Sequence, residues 1–348
     1  MGRRALPLLA TALLLGAAPV GRSDVVLLAI SKTEHKLAIV DPRDGRVLAR
    51  VPVGPDPHEV VAPADGRTAY VSNTGGGQFH EIDVIDLASA AARPPIDTGA
   101  LTGPHGLALV DGKLWFTAQG AKAIARYDPA TGRIDRVVGT GQDQTHMLAV
   151  TADQKRVFAS NVQSGTISIL DEELLPPIVT PIGYVLPTAK PYLDWRQTVV
   201  PFAKGNEGIA LSPDGAELWA ATPFGGAIAV LDTRTRRIAA RIPAAVVGAN
   251  RMAFTPDGRR LLVSSLKTGE LTIVDAKRRA VIGRVALGHG AAGTVISADG
   301  TRAYVSCTPD AYVAVVDLRL AKVIAHIDIG GRPDGVALAT AVGSADGH

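Results

Sequence analysis

Residues 58–98 read HEVVAPADGRTAYVSNTGGGQFHEIDVIDLASAAARPPIDT, four short apolar runs separated by turn residues. His58 to Pro63 is an alternating strand, Asp65-Gly66 reverses it, and Thr68 to Ser72 returns. A glycine-rich loop follows, then Ile82 to Leu87 and a last strand at Pro95 to Thr98. Such a stretch is a four-stranded meander, because Asp-Gly between β-branched runs marks a tight hairpin. The unit recurs. A β-branched run ending in aspartate is found at Asp41, Asp86, Asp128, Asp171, Asp232, Asp275 and Asp317. Asp-Gly turns stand at residues 65, 111, 214, 257 and 299. Seven four-stranded units, none able to bury both faces alone, predict an all-β, seven-bladed β-propeller of antiparallel blades.

The chain ends fit closure of that ring. The first strands after residue 24, Val25 to Ser31, Leu37 to Asp41 and Val47 to Val53, supply the second to fourth strands of a blade, and Asp334 to Thr340 supplies its first. The N- and C-terminal strands therefore share one blade. The predicted organisation is a leader over 1–23, a propeller over 24–340 and a tail over 341–348. Arg3 and Arg4, an apolar stretch to Ala18 and small residues before Asp24 have the layout of a secretory signal peptide, which places the mature chain in the periplasm or outside the cell. General secretion and the twin-arginine route both remain open.

Composition narrows the partners. The 348 residues are 47% hydrophobic and 20% charged, which excludes a disordered chain. The net charge of +3 falls to about zero without Arg3, Arg4 and Arg22, and there is no Lys/Arg run, so neither nucleic acid nor an anionic membrane is expected as a partner. No apolar run in the mature chain reaches the ~20 residues of a membrane span. One cysteine, Cys307, allows no internal disulfide and reads as a small buried residue.

The repeat resembles that of the YVTN-repeat propellers of bacterial secreted and surface proteins. The resemblance rests on Ala69-Tyr-Val-Ser-Asn73 with Gly75, on Val157-Phe-Ala-Ser-Asn161 with Gly165, and on the Pro-Asp-Gly turns at 213–215 and 256–258. It covers nearly the whole mature chain and implies the seven-bladed fold without a chemistry. One unit, Gly103-Pro-His-Gly-Leu-Ala-Leu109 with Leu114-Trp-Phe-Thr117, is similar to the repeat of streptogramin lyases, propellers in which a metal ion assists opening of a cyclic ester. The Glu often found after Trp-Phe-Thr in that repeat is absent here, and Gln119 is the nearest polar residue.

The spacing of the repeat aspartates, 42 to 45 residues elsewhere, widens to 61 between Asp171 and Asp232. The extra residues are placed at Glu172 to Asp194, between the third and fourth strands of one blade and away from the mouth described next. They form either a flap packed on that blade or a surface for a partner protein in a larger extracytoplasmic assembly.

In a propeller the first strand of each blade lines the channel, and its first residue stands at the rim. Aligned on the turns, that ring reads His58, His105, His146, Glu207, Asn250, Ala292 and Asp334. Three imidazoles on consecutive blades can aim at one point, with Glu207 as an oxygen ligand, a donor set suited to Zn²⁺, Cu²⁺ or Fe²⁺ rather than to Mg²⁺ or Ca²⁺. Asn73, Asn161, Ser265 and Cys307 end second strands on the same face, where the asparagines could bond a small polar ligand. Asn250 and Asp334 join them, and Arg251 suits either an anionic ligand or a salt bridge to Glu207 or Glu59. His35 and His80 lie in loops on that face, whereas His326 and His348 have no evident role. Three functions stay open: binding of a metal ion or small polar ligand, metal-assisted opening of an ester or lactone with His105, His146 or Glu207 moving the proton, and a scaffold with no ligand, its ring lining a wet channel.

Overall fold

The computed structural model describes residues 25–340 apart from 64, 180, 186 and 223, so the leader and the tail lie outside the described residues. Among them are 28 strands, numbered β1 to β28 in chain order, forming seven four-stranded antiparallel sheets. Six sheets use consecutive strands. The seventh has the order β28-β1-β2-β3, so β28 (Pro333–Thr340) from the C-terminal end pairs with β1 (Val25–Ser31) from the N-terminal end. The inner strands β4 (Pro57–Val61), β8 (Pro104–Val110), β12 (Thr145–Val150), β16 (Ile209–Leu211), β20 (Ala249–Phe254), β24 (Ala291–Ile296) and β28 pack one against the next in a closed ring.

The core lies between blades. Leu28, Ile30 and Leu37 of the closing blade pack with Val60, Val71 and Ile85 of the next one, and Trp219 and Val230 pack with Met252 and Val263. No blade has a core of its own, which is why an alternating sequence without long apolar runs still buries its large side chains.

The repeat aspartates act as turn acceptors. Asp86 accepts from the Ser89 amide, Asp232 from Thr235 and Asp317 from Leu320, which reserves the αL residue of each hairpin for a loop rather than a strand. Asp171 differs. Its blade has no turn there, because β14 (Thr166–Leu175) and β15 (Tyr192–Pro201) continue as a paired ribbon through Leu175 and Tyr192. At its base Trp195 meets Trp115 of the neighbouring blade edge-on at 5.9 Å. Among the described residues of the insertion only its base reaches the neighbouring blades, Glu172 lying 3.3 Å from Arg136 and Glu173 3.5 Å from Arg236, while Leu174, Ile178 and Ile182 are exposed.

The fourth strand of the first unit, β7 (Ala91–Asp97), starts four residues before the expected Pro95. Pro94 and Pro95 lie within it, since an outermost strand has one row of amides with no partner and tolerates proline there.

Candidate functional site at the channel mouth

Six of the seven ring positions sit in a β-bulge, while Glu207 stands just before β16, which pairs without a slip. The register between first and second strands slips between Pro57 and Val60, Pro104 and Leu107, and Thr145 and Leu148, and likewise in β20, β24 and β28. A bulge places two residues opposite one and re-aims a side chain out of the sheet. Here the re-aimed residues are His58, His105 and His146 and their counterparts.

In five blades a hydroxyl on the second strand then ties one ring position to the next. Thr117 Oγ1 accepts from the Gly106 amide at 2.9 Å and donates to the His146 carbonyl at 2.6 Å. Ser72 likewise accepts from Glu59 and donates to His105, and Ser160 accepts from Met147 and donates to Glu207. Ser264 and Ser306 reach Ala292 and Asp334. Glycine after the ring position permits this closeness: a Cβ on Gly106 would lie 2.5 Å from the His146 carbonyl oxygen. Thr117→Val, which removes both bonds while keeping the shape, is expected to cost about 1–3 kcal/mol. Chemical denaturation measures it, and a loss below about 0.5 kcal/mol would assign the clamp no energetic role.

The three histidines come together as the alignment requires. Ring centres of His105 and His146 are 3.8 Å apart, and those of His58 and His105 are 4.7 Å apart. His105 is 1% and His146 6% exposed. Burial, and next the neighbouring positive groups, hold both imidazoles well below their ordinary pKa of 6.5, so both rings are neutral at pH 7. Gln119 lies 3.2 Å from His146 Nδ1. His146 Nε2 and His105 Nδ1 are buried without a hydrogen-bond partner.

The rings face a cavity of about 450 Å³, also lined by Asp56, Gln119, Gln144 and the backbone of Gly76, Gly77 and Gly120. A larger cavity of about 950 Å³ opens at the other end of the inner strands, around Asp153, Asp171 and Asp214. Its buried carboxylate is already matched, Asp171 pairing with Arg156 and Arg236. The smaller cavity holds the two unpartnered imidazole nitrogens.

Glu207, Asn250, Arg251 and Asp334 also face the channel, but on one another. Arg251 crosses from β20 to bond Glu59 of β4 and lies 3.6 Å from Glu207. Both salt bridges foreseen for it are present. Asn250 Nδ2 donates to Glu207, and Asp334 lies 3.5 Å from Lys32 and from His58. Burial pushes the Glu207 carboxyl above its ordinary value against the pull of Arg251.

Two expected ligand-binding residues serve the fold. Asn161 accepts from Thr145 and donates to Thr166 and Ser168, which uses its side chain within one blade. Asn73 donates to Asp83, which also receives the Gly54 amide, while the buried Oδ1 of Asn73 has no hydrogen-bond partner. Ser265 accepts from the Thr268 amide and donates to the Val247 carbonyl, and Cys307 is buried with its thiol pushed up to about 12 by burial. His80 is exposed against Asp97, and His326 stacks on Tyr312 at 4.3 Å. The alignment missed Lys32 and Asp56, which flank His58 from outside the ring position. Lys32 follows β1 directly, and only pairing of the chain ends brings it to the mouth.

Three imidazoles bound to one ion at about 2.1 Å per nitrogen have ring centres roughly 4.6–5.3 Å apart. The His58–His105 spacing lies in that range, and the His105–His146 pair is about 1 Å closer, with the rings tilted 32° to each other. Among the described residues no three His, Cys, Asp or Glu side chains are already arranged as a metal cluster.

Comparison with known proteins gives the architecture alone. No family model matches, and no curated protein matches. Solved structures do. A functionally unknown protein from Desulfotomaculum acetoxidans superposes with a TM-score of 0.71 at 11% identity over 90% of this chain and 98% of its own. Kuenenia stuttgartiensis hydrazine synthase matches with 0.68 at 19% identity, over 88% and 99%. A candidate 6-phosphogluconolactonase from Bacteroides uniformis matches with 0.68 at 15% identity, over 91% and 100%. The likeness is one of fold. At such identities propellers share a scaffold and not a reaction, and no match speaks for the YVTN repeat in particular.

Proposed function

We propose that the protein is an exported binding propeller whose channel mouth takes a transition-metal ion on His105 and His146, with His58 as the third imidazole. One observation carries the reading: two neutral, buried rings from adjacent blades touch, and each has a ring nitrogen without a partner. A buried polar atom left unpaired costs about 1–3 kcal/mol, and one cation between the rings would engage both nitrogens once the rings part by about 1 Å and the Gln119 amide turns its oxygen to accept from His146 Nδ1–H, which frees the Nε2 lone pair. Asp56, Glu59, Glu207 and Asp334 also stand at the mouth, where they pair with Lys32, Arg251 and His58. Imidazole nitrogen selects Zn²⁺, Cu²⁺ or Fe²⁺. The leader would place this site outside the cytoplasm, as part of an assembly that handles the ion.

Titration calorimetry with Zn²⁺, Cu²⁺ and, without oxygen, Fe²⁺ tests the reading. His105→Ala and His146→Ala are each expected to weaken binding by about 100-fold or more, His58→Ala by less, and His326→Ala not at all. Glu207→Ala is expected to weaken it modestly through lost negative charge. Equal, weak binding by all variants would leave a scaffold as the function, and lactone turnover that needs metal would make it an enzyme. Because both rings resist protonation, binding should persist as pH falls through 6.5, where an exposed imidazole releases its metal. Loss of Zn²⁺ affinity already between pH 7 and 6 would contradict the buried ligand pair.

A further inference from the structure

Lys32 occupies the place a third ligand would need. Its Nζ lies 2.7 Å from His58 Nε2 and 3.2 Å from Nδ1, 3.1 Å from Asp56 and 3.5 Å from Asp334. A neutral imidazole has one lone pair and one N–H. If Nε2 carries the hydrogen it donates to Asp56 at 3.1 Å, and the Nδ1 lone pair faces Lys32. If Nδ1 carries it, Asp334 lies 3.5 Å away and the Nε2 lone pair faces Lys32 at 2.7 Å. In both tautomers the ammonium takes the lone pair that a metal would use.

Resting on the metal reading above, we propose that Lys32 is the residue that sets affinity at the mouth: an internal cation that competes with the metal for His58. The ion first engages His105 and His146. Recruiting His58 requires Lys32 to swing off the ring, and Asp56 and Asp334, already within 3.5 Å, receive it. No proton need move. The lysine is held from the closing blade, its amide donating to the Arg332 carbonyl at 3.2 Å. The two strands that close the ring therefore supply both the competing cation (Lys32, after β1) and a carboxylate that accepts it (Asp334, on β28).

The test is a Zn²⁺ titration of the full chain across a double-mutant cycle. Lys32→Met is expected to bind Zn²⁺ about tenfold tighter than wild type or more. Adding His58→Ala to Lys32→Met should abolish that gain, because the gain is a freed ligand. A gain that survives His58→Ala would reduce Lys32 to simple charge repulsion and overturn the proposal, as would unchanged or weaker binding by Lys32→Met. If Lys32→Met fails to fold with two unmatched carboxylates, Lys32→Met with Asp334→Asn removes one, and the same gain and the same dependence on His58 are required. Failure of the metal reading itself looks different: wild type and every variant then bind Zn²⁺ equally weakly.

Discussion

Deletion of residues 334–348 should unfold the whole propeller rather than fray one end. The deletion removes β28, which runs antiparallel to β1 from Val25 opposite Thr340 to Ala29 opposite Val336. It also removes the Asp334 carbonyl that Ser306 clamps and the backbone on which β24 and β4 close the ring. What remains is an open arc with an unpaired edge at β1 and with Leu28 and Ile30 uncovered. A linear repeat array survives the loss of a terminal unit, because each repeat needs only its neighbour; a closed ring has no terminal unit to lose. The expected loss, about 5 kcal/mol or more, rivals the stability of a typical domain. Calorimetry should show no cooperative transition, or a midpoint lower by more than about 10 °C. A midpoint within about 2 °C of the full chain would show that the ends do not hold each other.

Arg251→Ala should be the most damaging single change at the mouth. Both members of the Arg251–Glu59 pair are nearly enclosed, with side chains 9% and 12% exposed. Burial opposes ionisation of Glu59 and raises its carboxyl above the ordinary 4.5, while Glu59, Asp334 and Glu207 more than offset the same burial at Arg251. Removing the guanidinium leaves a buried carboxylate without a cation, a change that costs roughly 3–5 kcal/mol. The sign of its pH dependence follows. The fold favours protonated Glu59 more than the unfolded chain does, so the penalty is small near pH 4.5 and grows as pH rises above it. Denaturant melts at pH 5 and 7.5 should show Arg251→Ala losing more at the higher pH, with Glu59→Gln restoring most of the loss. A loss under about 1 kcal/mol at pH 7.5, or no recovery with Glu59→Gln, would mean that the crossing pair does not brace the channel.

The architecture could be read from residues because its signals are local and repeated. Asp-Gly turns and aspartate-ended strands recur, and three strands at the N-terminal end with a lone first strand at the C-terminal end show how the ring closes. The ring alignment found His58, His105 and His146 for the same reason, since a constant offset from a turn is a constant place on a blade. Other parts of the site depend on contacts between distant segments. Lys32 and Asp334 are 302 positions apart and meet only because β28 pairs with β1. The bulges that aim the histidines have no residue signature, because a bulge is a mismatch between two strands. The hydroxyl clamp did have one: Ser72, Thr117, Ser160, Ser264 and Ser306 hold the same repeat position. Asn73 and Asn161, beside or within that repeat position's strand ends, looked like ligand donors, but neighbouring Asp83 and Ser168 engage them.

The central claim is that one ion sits between His105 and His146, and anomalous diffraction at the zinc edge from crystals soaked in Zn²⁺ tests it most directly. The account predicts a single strong peak at the channel mouth, about 2.1 Å from one ring nitrogen of each histidine, with the two rings farther apart than 3.8 Å. A fully occupied soak with no peak at the mouth, or a peak held only by surface groups such as His80 and Asp97, would contradict it.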